Sequence, residues 1–377
     1  MNYIMLRMLG LQAEHPVLAR AREVLSALGG VLGIQTWGKF WLCVLSLYEW
    51  EGMVPLPPEV LLVASNFPMN PTSWWMPLRN IFISMSYLYG HRFKAPETAL
   101  TESLRKEPYP MHYSEIDWHA QRLNVGPSER FKPRTPLQSA TALGLGAHEA
   151  CKVRFFRKRA LTEALFQVEA EVDNTGYLRL TPGGPLCFRD RRFVVWDMSM
   201  SVQAICASGS KLQHDDIQVL QRAATMLVDA QIRQDPLAMD HIYRHPSNGG
   251  WPFSTRAQGY AVSDTTAEAL SATLYLQQLG AVPDMPTDRL EKAVDLLLGF
   301  ESRGGGFAAY EQVRTGDYLE LYDITDSYEN CMVESRYPEC TGSVVLALHH
   351  FTSKYPKYRA GDINQSIERG AQYLLRA

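Results

Sequence analysis

Asp264 is the side chain of this sequence best placed for acid chemistry. It sits in Val262-Ser263-Asp264-Thr265-Thr266-Ala267-Glu268. Before it comes the aromatic-rich turn Gly249-Gly250-Trp251-Pro252-Phe253-Ser254-Thr255, and after it the helix-like run Ala269-Leu270-Ser271-Ala272-Thr273-Leu274. An aspartate donates a proton only if an apolar pocket keeps it protonated. Hydrogen bonds to its other oxygen then sharpen its acidity and stabilise the carboxylate left behind. A plainer reading competes. Asp and Thr are preferred helix N-caps, and Thr265-Thr266-Ala267-Glu268 fits a capping box. On these residues alone, capping is the simpler account.

The elements that position Asp264 show themselves as repeats. A basic residue, a small residue and a leucine-rich turn recur: Arg20-Ala21 before Val24, Leu25 and Leu28; Arg222-Ala223 before Met226, Leu227 and Val228; Lys292-Ala293 before Leu296, Leu297 and Leu298; Arg369-Gly370 before Tyr373, Leu374 and Leu375. A glycine pair and an aromatic follow the first three: Gly29-Gly30 then Trp37, Gly249-Gly250-Trp251, and Gly305-Gly306-Phe307. Glycine permits the tight turn, and the ring is then free to cover a neighbouring helix end. Second helices are expected to open at Trp196-Asp197-Met198-Ser199, Ser263-Asp264-Thr265-Thr266 and Pro338-Glu339-Cys340-Thr341, each with an acid two residues before a hydroxyl. Helix, turn and helix at this period predict an all-α toroid or solenoid of paired helices. Arg192-Phe193-Val194-Val195 is the best strand candidate. The Gly/Pro-rich, charged stretch from Asp173 to Arg192 sets an expected boundary, dividing the chain into 1–190 and 191–377.

Bulk properties narrow the function classes. The chain has 377 residues, 46% of them hydrophobic, and a formal net charge of −3, so a large core is available and no basic stripe points to nucleic acid. The six cysteines show no Cys-x-x-Cys pair or short-range Cys/His cluster, which suits buried free thiols in a reducing compartment. Neither a metal nor a cofactor is expected. Met1 to Leu11 is apolar but interrupted by Arg7, unlike a signal peptide. No apolar run is long enough to span a bilayer. The aromatic stretch 53–90, with Trp74, Trp75, Phe82, Tyr87 and Tyr89, reads equally as core or as a segment lying on a membrane surface.

The acid segment resembles the motif Val-Ser-Asp-Cys-Thr-Ala-Glu of the oxidosqualene cyclases, the lanosterol synthase family, with Thr265 where that family has cysteine. The degenerate repeats likewise resemble its QW units, which implies an α/α-barrel fold. The resemblance implies an isomerase that protonates the epoxide of 2,3-oxidosqualene and steers a carbocation cascade to a lanosterol-type or related tetracyclic triterpene. In it Asp264 is the proton donor, and Cys340 matches one of two cysteines flanking the acid. Thr265 stands for the other, its hydroxyl able to donate the same hydrogen bond. Trp196, Phe253 and Tyr310 match aromatic cavity positions, and Trp75 opens the segment Trp75-Met76-Pro77-Leu78-Arg79, where the family commonly has Trp-x-His-x-Arg. Pro77 thus replaces a histidine that helps steer late rearrangement and deprotonation. The implied partners are an apolar isoprenoid substrate and a membrane surface, at the endoplasmic reticulum or a lipid droplet.

These observations set the expectations. The catalytic trio and the cavity aromatics should line one rim of the toroid. The resemblance covers nearly all of this chain but about the middle half of a full cyclase, so residues 1–190 and 191–377 are expected to form two incomplete barrels, with little or no activity in isolation. Two alternatives stand beside the enzyme: a truncated or decayed paralogue that at most binds apolar lipid, and a prenyltransferase-like toroid. The last requires a zinc site, and His241, His245, His349 and His350 lack convincing ligand spacing.

Overall fold

The computed structural model describes residues 2–65, 67, 69–130, 132–175, 194–208, 212–280, 284–325 and 330–377. The expected boundary at residue 190 lies outside them, as do Arg192 and Phe193. The described residues are mostly helical, as the repeats predict, with two short strands. The helices, in order, are α1 (Asn2–Met8), α2 (Pro16–Ala27), α3 (Thr36–Val44), α4 (Met76–Gly90), α5 (Ala99–Leu104), α6 (Pro136–Ala150), α7 (Arg154–Asn174), α8 (Val194–Ala207), α9 (His214–Ala230), α10 (Ser263–Gln278), α11 (Thr287–Gly299), α12 (Pro338–Lys354) and α13 (Ala360–Leu374). The strands are β1 (Phe307–Ala308) and β2 (Arg336–Tyr337). Val194 and Val195 open α8 and form no strand: the N–H of Val195 is satisfied by the Phe253 carbonyl at 3.1 Å, which leaves the following residues free to wind.

The chain folds as two compact units. One comprises the residues up to Pro71, Phe82–Leu165 and Gly316–Met332; the other comprises Thr72–Ile81, Phe166–Thr315 and Val333–Ala377. The first is built on aromatics. Trp50 is fully buried, edge-on to Phe40 at 5.7 Å and to Tyr89 at 5.6 Å, and its indole N–H reaches the Phe93 carbonyl at 3.1 Å. In the first unit Tyr89 is core, and in the second so is Trp74; Trp75, Phe82 and Tyr87 are half-buried. The 53–90 aromatics therefore divide: Tyr89 and Trp74 fill core, three are half-buried, and Phe67 is 51% exposed.

The second unit is a two-layer stack. α8, α10 and α12 lie side by side in that order; α9 packs on α8 and α10, α11 on α10, and α13 on α12. The outer helices carry one apolar stripe, in α11 Leu290, Ala293, Val294 and Leu297, at the 3–4 spacing of one helix face. α10, between two inner neighbours and an outer layer, is buried on nearly every side.

The repeated turns explain the stacking. Gly249 has φ +94°, and a Cβ there would meet the Lys292 backbone at 2.6 Å; Gly305 has φ +83°, and its Cβ would meet the Arg369 carbonyl at 2.4 Å. Each glycine lets a turn press against the basic-small position of the next outer helix. In the following residue pair the rings go inward. The Trp251 indole N–H caps the Leu227 carbonyl near the end of α9 at 2.8 Å. The Gly29-Gly30 copy differs: Trp37 lies on α3, 40% exposed and edge-on to Trp41, and covers no helix end.

Candidate active site

The start of α10 is held from two sides. Ser263 donates its backbone N–H to the Ala309 carbonyl at 2.9 Å and its hydroxyl to the Ala308 carbonyl at 2.6 Å. The Thr266 hydroxyl accepts the Trp251 N–H at 2.9 Å, and the Thr341 hydroxyl, its counterpart on α12, accepts the Phe307 N–H at 2.9 Å. Both hydroxyls are fully buried, as is Ser199 on α8. The acid-x-hydroxyl starts thus use the hydroxyl to tie each inner helix to its preceding turn, or in α8 to its own first turn. The acid two residues earlier is left to a different fate in each copy.

Asp197 and Glu339 are exposed, whereas Asp264 is half-buried. Asp264 is no cap. The N-cap of α10 is Val262, without a side-chain cap bond, so the capping reading fails here. Its Oδ1 accepts the Thr265 N–H at 2.6 Å and lies 3.3 Å from the Thr265 hydroxyl, which donates to it. The Cys340 thiol also hydrogen-bonds the carboxyl. Burial pushes Asp264 above the ordinary aspartate range; the bonds from Thr265 and Cys340 pull back, and Glu268 one turn on adds to the rise. Glu268 is itself gripped by the Gln203 amide of α8 at 2.6 Å. Burial, then the neighbouring Asp264 carboxylate, push Cys340 up to about 12, so it stays a thiol and a donor.

Three rings extend from this acid. Trp196 and Phe253 meet at 6.0 Å between centroids, and Phe253 and Tyr310 at 6.3 Å, both edge-on. All three are half-buried, and Tyr310 lies close enough to Asp264 for the carboxylate to raise its phenol, after burial itself. Asp264, Thr265, Cys340, Phe253, Tyr310 and Trp196 are therefore contiguous. No described contact joins Trp75 to this group; it is half-buried immediately before α4, its indole nitrogen without a hydrogen-bond partner. Pro77 occupies the first turn of α4, where a missing N–H costs no helical bond.

Two features escaped the sequence reading. The Arg79 guanidinium, fully buried, forks onto Glu311 at 2.7 and 3.0 Å. Arg314 approaches the same carboxylate at 3.3 Å and donates to the Thr72 and Tyr243 carbonyls. Burial pushes Glu311 up, yet the two arginines outweigh it and hold it below the ordinary value. The second is Glu334, buried beside Tyr310. The signals were thin: Arg79 stood in a motif read for its missing histidine, and Glu334 in no motif at all. Among the described residues, no three His, Cys, Asp or Glu side chains converge as a metal would require.

The squalene-hopene cyclase N-terminal domain matches residues 1–181, and the squalene-hopene cyclase C-terminal domain matches residues 193–377. Over all of its length the chain is 46% identical to protostadienol synthase A of Neosartorya fischeri, covering 56% of that protein. It is 35% identical to the lanosterol synthase of Pneumocystis carinii over 99% of its length, covering 57% of that protein. With the lanosterol synthase of Mus musculus it shares 34% identity over its whole length, covering 56% of the mouse chain. It thus spans little more than half the length of the curated relatives it matches. Its two family domains, its acid segment and its paired-helix fold place the chain in the oxidosqualene cyclase family.

Proposed function

We propose that this chain carries the acid end of a triterpene cyclase that converts 2,3-oxidosqualene to a tetracyclic triterpene. The observation that carries the reading is Asp264: a half-buried carboxyl raised by its surroundings, hydrogen-bonded by Thr265 and Cys340, and opening onto Tyr310, Phe253 and Trp196. In the first step the Asp264 O–H gives its proton to the epoxide oxygen. The C–O bond breaks as alkene electrons attack the carbon, and the charge passes ring by ring. Thr265 and Cys340 stabilise the carboxylate left behind, and the rings stabilise cationic carbon through their faces. Loss of a proton from the last cation forms the closing double bond, so the reaction is an isomerisation. The names of the relatives at 42–46% identity, protostadienol synthases, favour a protostadienol-type product over lanosterol.

A second reading has one observation behind it: Pro77 leaves no imidazole at that place in α4. On this reading the chain binds apolar lipid without turning it over. Incubation with oxidosqualene followed by mass-spectrometric product analysis separates the two. One cyclic triterpene from the wild type, and none from Asp264→Asn, supports the cyclase; an inert wild type that retains the lipid supports the binder.

We further propose a membrane surface as the source of substrate. Among the described residues no helix is long and apolar enough to cross a membrane. The N-terminal end of α7 exposes Phe155 (68%) and Phe156 (50%), with Val153 beside them and Lys152, Arg154, Lys158 and Arg159 around. An endoplasmic reticulum or lipid-droplet surface fits that chemistry.

A further inference from the structure

α8 and α10 hang from one turn. The Val195 N–H at the start of α8 reaches the Phe253 carbonyl at 3.1 Å, and the Thr266 hydroxyl in the first turn of α10 takes the Trp251 N–H at 2.9 Å. Further along, the two helices are joined again. The Gln203 amide of α8 donates to the Glu268 carboxyl at 2.6 Å and to the Glu268 carbonyl at 3.2 Å. Both helices therefore run the same way from the shared turn. The buried residues of α8 are Val195, Ser199 and Val202. Two of these are apolar, and Ser199 returns its hydroxyl to the Val195 carbonyl at 2.7 Å. Apolar packing has no preferred direction, so it resists sliding and turning of one helix on the other only weakly. A polar link with two prongs selects one register.

We propose that Gln203 is a positioning residue for the cyclisation: its grip on Glu268 fixes the height and tilt at which α8 presents the Trp196 ring to the acid. The proposal rests on the cyclase reading above. Trp196 and Gln203 are two turns apart, so they share a face of α8 and stand ~10 Å apart along it. Asp264 and Glu268 are one turn apart on α10, ~6 Å. Measured from the link, the Trp196 backbone is thus held ~4 Å nearer the shared turn than that of Asp264. Tied at Phe253 alone, α8 would pivot about its first turn. The second tie, two turns on, removes that freedom. Trp196 meets Phe253 edge-on at 6.0 Å, so a small pivot breaks the row of rings that starts at Asp264. An early cation is then out of reach of the next ring face and loses its proton before the following ring closes.

Fluorine NMR of the intact chain labelled with 5-fluorotryptophan reads the placement of Trp196, its resonance assigned by its loss in Trp196→Phe. Turnover of oxidosqualene with product analysis reads the consequence. Gln203→Met removes the donors at similar size, and Gln203→Glu sets a carboxylate against a carboxylate. Both should move the Trp196 resonance and yield partly cyclised isomers, with kcat lowered about tenfold or more and KM nearly unchanged. Gln203→Glu combined with Glu268→Gln exchanges the partners, so that an amide again donates to a carboxylate. The exchange should return both the resonance and the tetracyclic product. A merely structural role would lower the folded fraction and leave the product mixture alone. A Trp196 resonance unmoved in both single variants, or an exchange variant no better than Gln203→Glu, overturns the proposal. A wild type that turns nothing over overturns instead the cyclase reading, while the resonance still decides whether Gln203 places Trp196.

Discussion

The Arg79 guanidinium forks onto the Glu311 carboxylate in a site from which both are withdrawn from water, and Glu311 is the residue after Tyr310. The pair therefore anchors the backbone that presents a cavity ring. Its net contribution to stability is small, because desolvation opposes the Coulomb gain. Removing one partner is a different matter, since it strands the other charge.

Arg79→Ala is accordingly expected to cost about 3–5 kcal/mol. Arg79→Lys should recover part of this, keeping the charge but losing the planar fork. Glu311→Ala added to Arg79→Ala should cost much less than the sum of the single changes. Denaturant midpoints measure all three, and a loss under about 0.5 kcal/mol in Arg79→Ala would contradict the anchoring role.

How much of this was legible follows from where each signal lives. Asp264, Thr265 and Cys340 stand in short contiguous motifs, and the resemblance of those motifs to the oxidosqualene cyclases singled them out where residue chemistry alone favoured a cap. The paired-helix fold was readable because each turn writes its own code, Gly-Gly-aromatic, into adjacent residues. The same code misled at Gly29-Gly30, where Trp37 falls within a helix and packs on Trp41. Arg79 and Glu311 are 232 residues apart, and no local period couples them. Glu334 was invisible for another reason: its burial is set by a two-residue ladder that no propensity would announce. Asp264 read as a cap because its residue type suits one. Its true place in the first turn depends on Ser263 being pulled onto the Ala308 and Ala309 carbonyls.

The turn glycines give a sharp contrast. Gly305→Ala must place a methyl 2.4 Å from the Arg369 carbonyl on a backbone at φ +83°, and neither atom set is a flexible side chain. A loss of about 1–3 kcal/mol is expected from strain and local displacement. Gly342, in the interior of α12, has open space around its would-be Cβ, so Gly342→Ala should stabilise by roughly 0.5–1 kcal/mol. Thermal melts of the two variants moving in the same direction would refute the packing account.

Acid sensitivity should concentrate at His245. Burial holds its imidazole at about 4 against an ordinary 6.5, with Arg314 and Arg79 adding to the fall and Glu311 opposing it. The unfolded chain thus takes up a proton between those two values that the folded chain refuses. Stability from this group is complete above pH 6.5 and is lost as pH falls towards 4. His245→Gln, which cannot titrate, should show a shallower decline in denaturant midpoint between pH 7 and pH 5. Parallel declines in variant and wild type would assign the sensitivity elsewhere.

The exposed end of α7 predicts how the protein meets a membrane. Beside Phe155 and Phe156 lies a cleft of about 420 Å³ lined by Tyr87, Leu161 and Leu165 together with His91, Lys152, Arg154 and Lys158. Arg157, which also lines it, is already committed to Glu59 and Glu149 at 2.6 Å each, and Lys152 to Glu149 at 2.9 Å, which leaves the exposed Arg154 and Lys158 to face outward charge. Apolar rings flanked by lysine and arginine suit an anionic bilayer surface, each cation adding about 1 kcal/mol near it at moderate salt. Co-sedimentation with vesicles of zwitterionic lipid, with and without anionic lipid, measures the effect. Binding should rise with the anionic fraction and weaken with salt. It should drop about fivefold for Lys158→Gln, by loss of one such cation, and fall further for Phe155→Ser with Phe156→Ser, by loss of the inserted rings. Binding that ignores all three changes would move the membrane face to another part of the molecule.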